Sequence, residues 1–82
     1  MIFLIEYDRP KGHIVKFKSF NDSEQLTAEK LRLTIELDLR QKAVDHEVVL
    51  LNAANEDALR RTHRRYFEDA GQIGRSISDN AA

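Results

Sequence analysis

The sequence predicts an α+β domain of order ββαβα: a two-layer fold with a three-stranded sheet in the order 2-1-3 and two helices on one face. Three observations predict it. Two runs rich in β-branched and aromatic residues flank a turn near the N-terminus. A long stretch of helix-forming residues with charge pairs at helical spacing follows. A short continuous apolar run then leads into a second, capped helix.

The first strand is Ile2 to Tyr7, and the turn is Asp8-Arg9-Pro10-Lys11-Gly12. Pro10 presets φ, Gly12 tolerates φ > 0, and Asp8 can accept a hydrogen bond from the backbone ahead of it. Residues 13–20 alternate, with Val15 and Phe17 on one face and Lys16 and Lys18 on the other, so the two strands form a hairpin. Asn21-Asp22-Ser23 opens a helix, with Asp22 and Gln25 spaced as a capping box.

Residues 23–44 carry two competing patterns. Leu31, Leu33, Ile35, Leu37 and Leu39 alternate with polar residues, as in a strand. Against this stand Arg32–Glu36, Glu36–Arg40 and Asp38–Lys42 at i,i+4, in a run of Leu, Glu, Arg and Lys. The helix is the reading adopted.

Glu47 to Ala53 contains Val48-Val49-Leu50-Leu51, a buried-strand pattern. Asn55 caps the second helix, and Glu56 and Asp57 complement its N-terminal dipole. Leu59, Thr62, Tyr66 and Ala70 recur at helical steps, and Gly71 is a natural stop. One domain therefore spans residues 1–71, followed by a flexible polar tail over 72–82. A right-handed crossover through the first helix carries the third strand to the far side of the first, which sets the order 2-1-3. Lys16 and Lys18 suit the second strand to an outer position.

Composition narrows the function. The 82 residues carry 13 basic and 14 acidic side chains, a net charge of −1, which disfavours bulk electrostatic binding to nucleic acid or membrane. No cysteine is present, so disulfides, zinc thiolates and a cysteine nucleophile are excluded. The apolar start Met1 to Ile5 is too short for a signal-peptide core, and no run approaches the roughly 20 apolar residues of a membrane helix, so a cytoplasmic protein is expected.

Several elements are apolar on both sides. On a helix over 23–44, Ala28, Leu31, Ile35 and Leu39 share one side, while Leu26, Leu33, Leu37 and Val44 lie almost opposite. The first strand (Ile2, Leu4; Phe3, Ile5) and the third (Val48, Leu50; Val49, Leu51) are apolar on both faces. With both helices on one face, the other face stays open, and exposed apolar patches commonly mark interfaces. The third strand is also an edge with no Lys or Pro to block pairing. Leu26, Leu33, Leu37, Val44, Val49 and Leu51 are thus the candidate interface of a non-catalytic module, expected to pair with itself as a homodimer or to bind another protein.

A second candidate surface is basic. Arg60, Arg61, Arg64 and Arg65 project over one broad face of a continuous helix and, with Lys16 and Lys18, could contact nucleic-acid phosphates. Each Arg also has an acidic residue at i±4, which favours a salt-bridged solvated face. Asp45-His46-Glu47 is the tightest group of acid–base residues, but neighbours in an extended segment point to opposite faces and do not converge. His63 borders the second helix's apolar side. No catalytic residue, metal site or cofactor is assigned; enzyme chemistry at His46 or His63 is the third class considered.

Overall fold

The structure, a computed structural model, describes residues 1–68. Strand β1 (Ile2–Asp8) pairs antiparallel with β2 (His13–Phe20) through the expected turn. Gly12 takes φ 70°, which its missing Cβ permits. Its N–H donates to the Asp8 carbonyl at 2.7 Å, and Lys11 N–H donates to the Asp8 carboxylate at 3.0 Å. Strand β3 (His46–Asn52) pairs antiparallel with the other side of β1, so the order is β2-β1-β3, as the sequence predicts.

The helix over the contested stretch is present as α1 (Gln25–Lys42), after a 3₁₀ turn at Asp22–Glu24. The reach-back cap is set by Glu24, whose carboxylate accepts the Asn21 N–H at 2.8 Å, rather than by the Asp22–Gln25 spacing. Arg32–Glu36 at 2.8 Å and Lys42–Asp38 at 3.1 Å are two of the three expected pairs; Glu36 is engaged with Arg32. The helix ends in a Schellman motif. Ala43 N–H donates to Arg40, Val44 N–H donates to Leu39, and Ala43 is left-handed at φ 54°.

Two expectations are corrected. First, the helices lie on opposite faces of the sheet, so the domain has three layers rather than two. Ile2, Leu4, Phe20 and Val48 form a core with Ala28 and Ile35 of α1. Phe3 and Ile5 form a separate core with Leu59 and Tyr66. Strand alternation turns successive β1 residues to opposite sides, and all four central residues are at most 1% exposed. The apolar second face is thus covered by the chain's own C-terminal segment, which removes the open sheet face. Second, the helix expected to run from Asn55 toward Ala70 stops early. Helix α2 (Glu56–Thr62) is capped as expected, with the Asn55 side chain accepting Ala58 N–H at 2.8 Å. Thr62 then turns its hydroxyl onto the Ala58 and Leu59 carbonyls, at 2.9 and 3.3 Å, and His63 leaves the helical region at φ −126°, ψ 51°. A 3₁₀ turn, Arg64–Tyr66, follows. The break brings Tyr66 down onto the sheet and Phe67 against Phe17, their ring centroids 5.8 Å apart.

A bulge refines the hairpin. Glu6 pairs with Lys16 but Tyr7 with Ile14, so Val15 is the extra residue and stands out at the edge. Ile14, not Val15, joins Phe17 on the α2 face. Gly71 and the tail over 72–82 lie outside the described residues.

Candidate functional site

The candidate site is the outer face of α1. A helix of about 3.6 residues per turn with apolar residues in two opposed groups buries only one of them on a sheet. Ala28 and Ile35 are buried, with Leu31 and Leu39 packed beside them. The opposite group stays in solvent: Leu26 is 71% exposed, Leu33 53%, Leu37 49% and Val44 38%. The first three recur at steps of seven and four, which stacks them in one row along the helix. Lys30 and Arg40 stand exposed among them, with exposed Glu29 and Gln41 alongside. Among the described residues, neither Lys30 nor Arg40 has an ion-pair partner.

Val49 and Leu51, the other two candidate interface residues, sit elsewhere. They point to the α2 face, are half-buried, and pack against the core of Phe3, Ile5, Leu59 and Tyr66. The structure thus groups four of the six candidates on α1 and its C-terminal cap and gives the remaining two an intramolecular role. The β3 edge itself is flanked by an open groove of about 430 Å³, lined by Gln25, Glu29 and Arg32 of α1 and by residues 48–52.

The basic candidates do not assemble into one surface. Lys16 and Lys18 lie opposite Glu6 and Leu4 and therefore project on the α1 side, whereas the four arginines are on the α2 side. Arg60 is paired with Glu56 at 2.9 Å and stacks over Phe67 at 4.5 Å. Arg65 donates to both Glu47 oxygens at 3.0 and 2.9 Å and lies over the Tyr66 ring at 4.1 Å. Arg61 and Arg64 are exposed. The break at His63 is what separates the four, since they no longer share one helix.

Around Asp45-His46-Glu47 the structure builds two polar clusters, back to back across the sheet. His46 faces the α1 side, its Nδ1 2.6 Å from Glu6 Oε2 and its Nε2 3.5 Å from Asp8 Oδ2. Both carboxylates are buried, at 7% and 9% exposure. Glu47 faces the α2 side, where it accepts hydrogen bonds from the Tyr66 hydroxyl and the Arg65 guanidinium. Arg9 approaches Glu47 and Asp45 at 3.6 Å each. Burial pushes the Glu47 carboxyl up, but the Tyr66 and Arg65 hydrogen bonds and the charges of Arg65 and Arg9 overcome this and hold it below its ordinary 4.5. Burial and the Glu47 contact hold the Tyr66 hydroxyl above its ordinary 10.0.

Sequence reasoning missed these clusters because their members are far apart along the chain. The signal it could have used was Glu6 and Asp8, two acids of equal parity ending an apolar strand. His46 lines an open groove of about 340 Å³ with Glu36, Leu39, Arg40 and Val44. Both its ring nitrogens face the chain's own carboxylates, an arrangement that anchors the ring. Among the described residues, no group of three or more His, Asp or Glu is placed to hold a metal ion, and no helix is long and apolar enough to cross a membrane. Compared with known protein-family models, curated proteins and solved structures, the chain matches none of them.

Proposed function

We propose that the chain is a small protein–protein interaction module that acts by association rather than catalysis, as a homodimer formed through the outer face of α1. The observation that carries this reading is the row of Leu26, Leu33 and Leu37, each about half exposed or more on a helix whose other side is fully committed to the core. Both sheet faces are covered within the chain, and of the exposed large apolar residues among those described, Met1, Val15, Leu26, Leu33, Leu37 and Val44, four lie on α1 and its C-terminal cap. Removing this apolar surface from water is worth about 25 cal/mol per Å².

The test is light scattering on a dilution series at physiological salt. The expected mass at high concentration is twice the monomer's 9.5 kDa. Leu37→Asp, on the solvent side of α1, should return the protein to monomer with its circular dichroism unchanged. A dimer unaffected by Leu37→Asp would remove the α1 face from the reading.

A further inference from the structure

We infer that the free edge of β3 is a second docking surface, which takes an extended segment of another polypeptide as an added strand with apolar side chains at alternate positions.

The hydrogen-bond phase of the sheet shows which backbone groups are on offer. Met1 and Ala53 exchange two backbone bonds: the Met1 amino group donates to the Ala53 carbonyl at 2.9 Å, and Ala53 N–H donates to the Met1 carbonyl at 3.1 Å. In an antiparallel ladder such pairs alternate with unbonded ones. The register then makes Phe3–Leu51, Ile5–Val49 and Tyr7–Glu47 the bonded pairs of β1 and β3. Val48, Leu50 and Asn52 therefore turn both N–H and C=O away from β1. Because β3 is an outer strand, no strand among the described residues pairs with them. His46, the next in this series, has its N–H occupied by the Val44 carbonyl at 3.1 Å, which closes the free stretch at that end.

The two edges of the sheet are unlike. The β2 edge carries Lys16, Lys18 and the bulge at Val15, devices that keep a strand from pairing further. Over His46–Asn52, β3 has no Lys, no Pro and no shift of register.

Backbone donors and acceptors in line at strand spacing complement an extended backbone, as in strand addition. Side chains of the added strand alternate between the two faces. Those opposite Val49 and Leu51 fall on the α2 side, beside two half-buried apolar residues. Those opposite Val48, Leu50 and Asn52 fall on the α1 side, in the open groove of about 430 Å³ walled by Gln25, Glu29 and Arg32. The segment that fits is thus apolar, with β-branched residues favoured, on the first side and polar on the second. A second copy already has its place on α1 in the function proposed above, and a further copy at β3 would extend the dimer rather than close it. The choice of a foreign segment rests on that reading; the free edge does not.

A displayed library of random dodecapeptides, selected on the immobilised protein, supplies the probe, and the tightest binder is synthesised. The expected binder has apolar residues at every second position. Added to isotope-labelled protein, it should slow amide exchange at Val48, Leu50 and Asn52 and leave Glu47, Val49 and Leu51, already bonded to β1, unchanged. Asn52→Pro removes one outward N–H at an exposed position without cutting a bond to β1, and should weaken binding about tenfold with circular dichroism unchanged. Leu37→Asp should leave binding as it is. No binder from the library, or a binder that protects none of the three amides, would overturn the inference. Binding lost with Leu37→Asp and kept with Asn52→Pro would overturn it in favour of the α1 face. Protection of the three amides that rises with protein concentration in the absence of peptide would make a second copy the occupant and overturn the foreign segment. A protein that scatters as a monomer throughout would remove self-association without altering the peptide result, so the two readings fail separately.

Discussion

On one face of the sheet lies α1, an 18-residue helix with side-chain pairs at i,i+4 and a hydrogen-bonded stop. On the other lie α2, of seven residues, and a 3₁₀ turn. Isolated helices shorter than about 12–15 residues are marginal in water, so the two faces differ in what holds their helices. The long helix draws on local terms and rests on aliphatic residues, Ile2, Leu4, Ile35 and Val48. The short segment is held by long-range contacts: Leu59 in the core, Tyr66 and Arg65 to Glu47, Phe67 on Phe17. Local structure can persist when packing is disturbed, whereas structure made of tertiary contacts is lost with them.

The widest test of this contrast removes one buried leucine from each face. Leu4→Ala and Leu59→Ala both empty sites at 0% exposure, and each should cost about 3 kcal/mol. Both tyrosines of the chain, Tyr7 and Tyr66, pack on the α2 face, so tyrosine fluorescence reports that face, while helical circular dichroism reports mainly α1. In urea, Leu59→Ala should shift the fluorescence transition ahead of the helical one; Leu4→Ala should move both together. Coincident transitions in both variants would show one cooperative unit and dissolve the contrast.

Tyr66→Phe is a narrower break. It leaves the ring and removes the hydroxyl that bonds Glu47 and accepts from Arg65, a loss of about 1–2 kcal/mol. Faster amide exchange should appear in residues 59–67 and not in α1.

Acid should act on the same face. The Glu47 pKa is lower folded than unfolded, so its contribution is complete above its ordinary 4.5 and is lost as pH falls through the depressed value. Tyr66 sets the alkaline limit with the opposite sign. Its pKa is raised on folding, so its contribution is complete below 10.0 and disappears as pH rises through the raised value. An acid titration should change tyrosine fluorescence before helical dichroism, and Glu47→Gln should abolish that separation.

The smallest expected effect sharpens the comparison from the α1 side. Ala43 holds a left-handed conformation that glycine adopts without steric cost, so Ala43→Gly should stabilise the domain by about 0.5–1 kcal/mol in chemical denaturation, with no change in fluorescence at neutral pH.

Much of the architecture was legible along the chain, and particular residues show why. The Asp8–Gly12 turn, the Asn55 cap and the α1 charge pairs are interactions within a few residues, which local chemistry decides. The opposed apolar rows of α1 were legible too, because helical period alone sorts Leu33 from Ile35. The bulge at Val15 and the break at His63 were not, because each depends on what the strand or helix must fit across the fold. The double-faced apolar pattern of β1 was read correctly as a demand for cover on both sides. The sequence reading set both helices on one face and left the other to a partner, and α2, by covering that face itself, overturned it.

From the sequence alone came the α+β class, the strand order, the identity of α1 as a helix, and the row of leucines on its outer side. All of these follow from period, propensity and turn chemistry, which act over short separations. Tertiary structure alone decided which face α2 covers, where α2 ends, and the union of Glu6 and Asp8 with His46 and of Glu47 with Tyr66 and Arg65. Those outcomes depend on residues far apart along the chain meeting in space, Glu6 and His46 across 40 positions and Tyr7 and Tyr66 across 59, and strand pairing, core packing and buried-charge compensation, not local preference, bring such residues together.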